Sequence, residues 1–331
     1  MRRALAFGLA LLPLVVLLGC TGTYPQSAIH PQTELSTEMN ELLLTILRWE
    51  IGIFVVVELA LLVAIFRFRA KPGQGVPKQT HGHTGVEIAW TLAPAVILAF
   101  IGVPTVYTIF RTQAPAPKDA LTVEVTGHQW WWEFRYPEYG VVTASDLHLP
   151  TGRTVNLKMT SQDVIHSFWL PALCGKRDVV PGRTNYIWFK PVTPGVYHGQ
   201  CAELCGVSHA NMRMQAVVQT PADFSAWVQA QLAPPAEPVD TLTSLGKQTF
   251  SQGLCIACHT INGVSAGVVG PNLNHVGSRL TLAGATMPMN DENLKKWLTD
   301  PPAHKPGSLM PFQNLTPQQV DALAAYLHSL K

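Results

Sequence analysis

Charge is scarce in this sequence. Its 331 residues include 23 lysines and arginines and 21 aspartates and glutamates, 13% in all, where a soluble protein carries roughly 25%. Neither sign dominates, and the formal net charge is +2. So small and so even a charge excludes a polycation that binds nucleic acid, an acidic solvating tail and a disordered chain. What is present instead is apolar: 47% hydrophobic residues and a mean hydropathy of +0.16. The length suggests two or three domains, and the missing charge directs attention to membrane spans.

Residues 1–20 read as an export signal: Arg2 and Arg3, then an apolar run from Ala4 to Leu18. The run ends in Leu17-Leu18-Gly19-Cys20, which resembles the lipobox of bacterial lipoproteins and implies lipidation at Cys20. An ordinary signal peptide is the alternative. Two candidate spans follow. Residues 88–110 hold no Asp, Glu, Lys or Arg, and at a rise of 1.5 Å per residue they cross a bilayer core of about 30 Å. Residues 42–66 hold Arg48, Glu50 and Glu58. The first two suit an interface, but Glu58 falls well inside, where a carboxylate turns to a protein neighbour rather than lipid. Between the spans lie Arg67, Arg69, Lys71 and Lys78, which makes that loop cytoplasmic and puts both chain ends outside. The hairpin is therefore expected over residues 41–111.

From 119 to 231 the chain reads as short strands between Gly and Pro turns, a sandwich or Greek-key barrel. A Pro-rich linker over 232–240 ends this domain. Residues 241–331 turn helical, and the last helix opens on the capping box Thr316-Pro317-Gln318-Gln319.

The sequence has six cysteines, at positions 20, 174, 201, 205, 255 and 258. An exported chain invites three disulfides, but four of the six form close pairs beside His or Met, and such pairs make poor staples. Cys255-Ile256-Ala257-Cys258-His259 is the C-x-x-C-H string of c-type haem attachment, two thioethers and an axial imidazole. A thioether is expected as sixth ligand, with Met287, Met289 and Met310 competing. Met310, between the Lys305-Pro306-Gly307 turn and the last helix as in class I cytochromes c, is preferred. Cys201, Cys205, His209 and Met212 form a soft donor set that selects copper. A blue-copper ion would take one Cys and two His, whereas two thiolates four residues apart can bridge two copper ions. A second imidazole must then come from an earlier strand, and His166 is the best candidate. A structural zinc site would leave Met212 without a role.

These strings resemble the dinuclear CuA site of cytochrome c oxidase subunit II. The resemblance extends to Trp90-Thr91-Leu92-Ala93-Pro94-Ala95, Gly127-His128-Gln129-Trp130 and Asp178-Val179-Val180-Pro181-Gly182-Arg183, and the C-terminal segment is similar to a fused class I cytochrome c. It implies a multidomain chain: a two-helix transmembrane hairpin, a cupredoxin-like Greek-key sandwich, then an all-α cytochrome c. It also implies copper ligands His166, Cys201, Cys205, His209 and Met212 with the carbonyl of Glu203, and Pro271 as support for His259. Trp130 maps onto the residue through which electrons reach CuA, and Glu203 onto the carboxylate that helps hold a Mg²⁺ shared with subunit I. Glu87 resembles a carboxylate at the mouth of a proton path, although a helix start also favours a Glu there. Cys174 and His198 depart from the family pattern; a free buried thiol and a structural imidazole are expected.

The implied function is a subunit of an oxygen-reducing enzyme. An outer-face donor, a bc1-type complex or a soluble cytochrome c, would pass electrons through haem c and CuA to subunit I, with subunit III as a further partner. The setting is a bacterial inner membrane, with the redox domains periplasmic. Nothing in this chain binds and reduces O₂, so that centre belongs elsewhere. A membrane-tethered carrier without a fixed catalytic subunit is the competing reading, and Glu58 argues against it. A CuA-containing nitrous-oxide-reducing enzyme would need a large further domain. Residues 121–231 carry 8 acidic and 8 basic side chains and residues 237–331 carry 6 of each, so neither domain has a net field to steer a donor. The whole chain is equally charge-poor, with 14 charged residues in 1–111 and 28 in 121–331. Membrane spans alone do not account for that. Surfaces covered by cofactors, by each other or by a partner would.

Overall fold

The computed structural model describes residues 24–331 apart from 71, 74, 77, 78 and 80. The export signal with Cys20, and Lys71 and Lys78 of the basic loop, lie outside the described residues. Helix α1 (Glu34–Arg67) starts where Thr33 caps it: the Thr33 side chain accepts from the Ser36 amide, and the Ser36 side chain reaches back to the cap. Helix α2 (Thr84–Thr112) contains Pro94 and Pro104. The most apolar windows of both helices have no buried residues, so their greasy surface faces outward, as a bilayer requires. Arg111 ties the two helices together, with Glu34 and Glu38 each 2.6 Å from its guanidinium.

The hairpin is also fixed to the next domain. Thr33 Oγ1 donates to Leu173 O at 2.6 Å, Ser36 Oγ donates to Ala172 O at 2.9 Å, and Trp188 Nε1 donates to Ala114 O at 2.7 Å. These side chains set the β-domain directly on the end of the hairpin that carries Glu34 and Thr112.

The β-domain is a two-sheet sandwich. One sheet runs β3 (Val141–Ala144), β2 (Trp131–Tyr136), β1 (Leu121–His128), β5 (Val155–Ser161), β8 (Asn185–Phe189). The other runs β4 (Asp146–Pro150), β10 (Arg213–Gln219), β9 (Gly195–Cys201), β6 (His166–Trp169), β7 (Lys176–Val179). β1 pairs with β5 and β4 with β10 in parallel, the crossovers of a Greek key. Alternation sets the core: Leu121, Val123 and Val125 on β1 face Val155, Leu157 and Met159 on β5 inward, all fully buried. Trp132, Phe134 and Tyr136 complete that face, and the buried Tyr136 hydroxyl is satisfied by both the amide and the carbonyl of His148. Helix α3 (Pro221–Leu232), capped by Thr220, closes the domain with Phe224 and Val228.

The C-terminal domain is helical, with two short two-stranded pairings. Helices α4 (Thr241–Gln252) and α8 (Pro317–Ser329) cross at Gly246, where an added Cβ would meet the Ala322 carbonyl and Tyr326 Cβ. Only glycine allows that approach. Between them lie α5 (Cys255–Cys258), α6 (Asp291–Thr299) and α7 (Pro301–His304). Phe250, Leu294, Leu298, Leu323 and Leu327 form this domain's own core.

Candidate metal centre and haem pocket

The copper-type donors converge where β6, β9 and the loop after β9 meet. Cys201 ends β9, and the loop turns back so that Cys205 Sγ lies 3.8 Å from Cys201 Sγ. His166 at the head of β6 presents Nδ1 3.9 Å from Cys201 Sγ, and His209 presents Nδ1 3.6 Å from Cys205 Sγ. Met212 Sδ lies 3.8 Å from Cys205 Sγ, and the Glu203 carbonyl lies 3.3 Å from Cys201 Sγ. His166, Cys201 and Cys205 are buried and close enough for one metal site. Thus all six predicted donors come together, with two central sulfurs and an imidazole on each side. Hydrogen bonding to Cys205 and His166 holds the Cys201 thiol well below the usual thiol range, which favours a thiolate at this centre. Soft donors in this arrangement fit a pair of copper ions. The Glu203 side chain, by contrast, is exposed.

Asp163 orients the centre, and sequence reading passed over it. Its Oδ1 lies 2.7 Å from His166 Nε2 and takes the Val164 amide at 2.6 Å; its Oδ2 takes the Gln129 amide at 2.6 Å. Burial lowers the His166 pKa, but Cys201 and Asp163 outweigh it and the net shift is upward. Its position three residues before His166 was the available signal.

The second site is a cavity of about 390 Å³ in the C-terminal domain, lined by Cys255, Cys258, His259, Met289 and Met310 among mostly apolar neighbours. His259 Nδ1 lies 2.8 Å from the carbonyl of Pro271, leaving Nε2 for ligation. Burial keeps this imidazole below its usual pKa, hence neutral. A Cβ at Gly270 would fall 2.5 Å from the His259 ring, so glycine is required beside it. Arg279 also lines the cavity; its Nη2 donates to Asn272 O, but its buried Nε has no partner. An orphaned guanidinium nitrogen in an apolar cavity matches an anionic group such as a haem propionate. The residues therefore fit haem c. Met287 lines a different cavity, so the choice of thioether narrows to Met289 and Met310.

Trp130 joins the two sites. It is 7% exposed, and its Nε1 donates to Cys205 O at 3.0 Å, beside Gln129 Nε2 on the same carbonyl at 2.7 Å. Trp130, Gln129 and Trp131 also line the haem cavity. On the far side of the indole, a Cβ at Gly307 would fall 2.8 Å from the ring. Lys305 reaches across from the helical domain to donate to Trp130 O at 2.5 Å and Ala283 O at 2.7 Å. Burial pulls its ammonium down to about 7. In the sequence Lys305 reads only as part of a turn.

The other sequence candidates lie apart. Glu87 is at the opposite end of the hairpin, its Oε1 accepting from the His83 amide at 3.2 Å, as a helix-start carboxylate does. Cys174 is a free thiol, 1% exposed and pushed up to about 12 by burial, hence unreactive. His198 sits on β9 against Gln215 of β10, outside the donor cluster.

Known proteins show the same composition. Residues 20–107 match the transmembrane domain of cytochrome c oxidase subunit II, 141–220 its periplasmic domain, and 243–331 cytochrome c. Cytochrome c oxidase subunit 2 of Alkalihalophilus pseudofirmus is 38% identical over 323 residues, covering 95% of this chain and 94% of the relative. The Bacillus subtilis protein of that name is 32% identical, with 98% and 96% covered, and that of Bacillus sp. strain PS3 is 39% identical, with 80% of each covered.

Proposed function

This chain belongs to the cytochrome c oxidase subunit II family and carries a C-terminal cytochrome c domain, and from that premise we propose that it relays electrons from an outer-face donor through haem c and then dinuclear CuA to catalytic subunit I, for reduction of O₂ to water coupled to proton translocation. The observation that carries the order is Trp130, bonded to the carbonyl of a copper-type ligand on one side and lining the haem cavity on the other. Bound haem c and paired copper each supply one-electron exchange within a fixed ligand set.

The chain's own residues hold that arrangement. His166, Cys201, Cys205, His209, Met212 and the Glu203 carbonyl would hold the copper. Cys255 and Cys258 would attach the haem and His259 and Met310 would ligate it, the Pro271 carbonyl leaving Nε2 of His259 free to do so. Trp130 is where electrons pass into the copper centre. The exposed Glu203 carboxylate is free to share Mg²⁺ with subunit I. Glu87 at the inner end of α2 serves the mouth of a proton path. Subunits I and III are the partners, and a bc1-type complex or soluble cytochrome c is the donor. The hairpin crosses a bacterial inner membrane twice, both redox domains are periplasmic, and Cys20 carries the lipid.

Rapid mixing of the reduced complex with O₂ tests the order. In Cys201→Ser, haem c is expected to stay reduced while the wild type is reoxidised. Reoxidation at the wild-type rate would show that haem c bypasses the copper centre.

A further inference from the structure

We propose that Asp146 and Lys305 are positioning residues that latch the cytochrome domain in one fixed register over Trp130, so that this domain is not a swinging tether. This rests on the relay reading above only for its functional meaning; the latch itself is a matter of contacts.

Asp146 lies on β4 of the sandwich and is fully buried. A carboxylate so placed is destabilising unless donors and an opposite charge surround it. Among the described residues, those groups come from the cytochrome domain. The Leu280 amide donates to Oδ2 and the Thr281 hydroxyl to Oδ1, each at 2.6 Å; burial still holds the carboxyl above its ordinary range, and these donors and the Arg279 guanidinium offset part of that. Undocked, Asp146 would exchange all three for water. Lys305 makes the reciprocal contact, a buried ammonium from the cytochrome domain on the carbonyl of Trp130.

Further hydrogen bonds continue the same seam. The Arg213 amide at the start of β10 donates to Gly284 O at 3.0 Å, and Ser208 Oγ donates to Pro306 O at 2.5 Å. Gly284 lies in a turn whose flanking Ala283 and Ala285 adopt φ of +56° and +58°, backbone that L residues enter only at a cost. The turn delivers Ala283 O to Lys305 and Gly284 O to Arg213. Buried hydrogen bonds inside an interface fix register because a slipped arrangement strands each buried polar group.

The test compares the purified full-length complex with Asp146→Asn, Lys305→Met and the milder Thr281→Val. Hydrogen–deuterium exchange of residues 279–284 and proteolysis of the 233–238 linker report docking; the haem c spectrum and copper EPR report intact sites. Each variant is expected to raise exchange at the Leu280 amide by roughly tenfold or more and to hasten linker cleavage, with both spectra unchanged. Transfer from haem c to copper is expected to become viscosity-dependent in the variants alone. Wild-type exchange already as fast as in the variants, or variant exchange equal to protected wild type, would overturn the latch. Faster exchange with unaltered, viscosity-independent transfer would support the latch and overturn instead the route through Trp130.

Discussion

Oδ1 of Asp163 lies 2.7 Å from Nε2 of His166, and this contact leaves Nδ1 of the same ring turned toward Cys201. A neutral imidazole bonded this way carries its proton on Nε2 and offers a lone pair from Nδ1. Asp163 thus selects the tautomer a metal needs and, through the Gln129 amide, ties the ligand to the Trp130 loop. Asp163→Ala is expected to lower copper affinity by roughly tenfold to a hundredfold while the sandwich stays folded. Competition against a copper chelator, with circular dichroism as control, reads this; unchanged retention would reduce Asp163 to a loop residue.

The contrast between His166 and Asp163 shows where sequence reading stops. Cys201, Cys205, His209 and Met212 were legible because one loop carries them, so their spacing alone encodes a donor set. His166 could be singled out only as the best candidate from an earlier strand, since 35 residues separate it from Cys201 and only the pairing of β6 with β9 brings them together. The strands themselves were legible from alternation, whereas the parallel pairings of β1 with β5 and β4 with β10 were not, because non-local pairing leaves no local mark. Asp146, Lys305 and Arg279 were invisible as functional groups. Their meaning comes from burial between domains, which no motif records.

Met289 and Met310 both line the haem cavity, and Met310 alone lies in the segment between the Lys305 turn and α8. Met310→Ala is expected to remove the thioether-to-iron absorption of the oxidised protein and lower the haem potential, since a thioether ligand raises it. Met289→Ala is expected to leave that band in place. If the spectra respond the other way round, Met289 is the axial ligand.

Gly270 is demanded by its neighbour rather than by its backbone angle. A methyl group there would fall 2.5 Å from Cε1 and 2.8 Å from Nδ1 of His259. The ring must move, and with it the bond from Nδ1 to the Pro271 carbonyl. Gly270→Ala is expected to destabilise the cytochrome domain by about 1–3 kcal/mol and to perturb the proximal ligand field. Haem staining under denaturing conditions should still find covalent haem, because Cys255 and Cys258 are untouched. An unshifted melting point would show that the ring has room the contacts deny.

Acid sensitivity in the sandwich has a specific origin at His148. Its ring stacks on Trp227 at 4.2 Å and 7°, its Nδ1 lies 2.9 Å from Gln219 Oε1, and burial pulls its pKa from 6.5 to about 4. The folded state therefore binds fewer protons than the unfolded state between these values, so stability rises with pH across that window. The contribution is complete above pH 6.5 and is lost as pH falls toward 4, in total about 3–4 kcal/mol. Copper ligands also lose metal to acid, so the wild-type slope alone is not diagnostic. The discriminating quantity is the difference between wild type and His148→Gln, which keeps a polar group but cannot titrate. Melting at pH 7.5 and pH 5 is expected to show a smaller acid loss in the variant, at equal copper content. Equal losses in both proteins would mean that His148 is already protonated in the folded domain, and that its stack on Trp227 tolerates the charge.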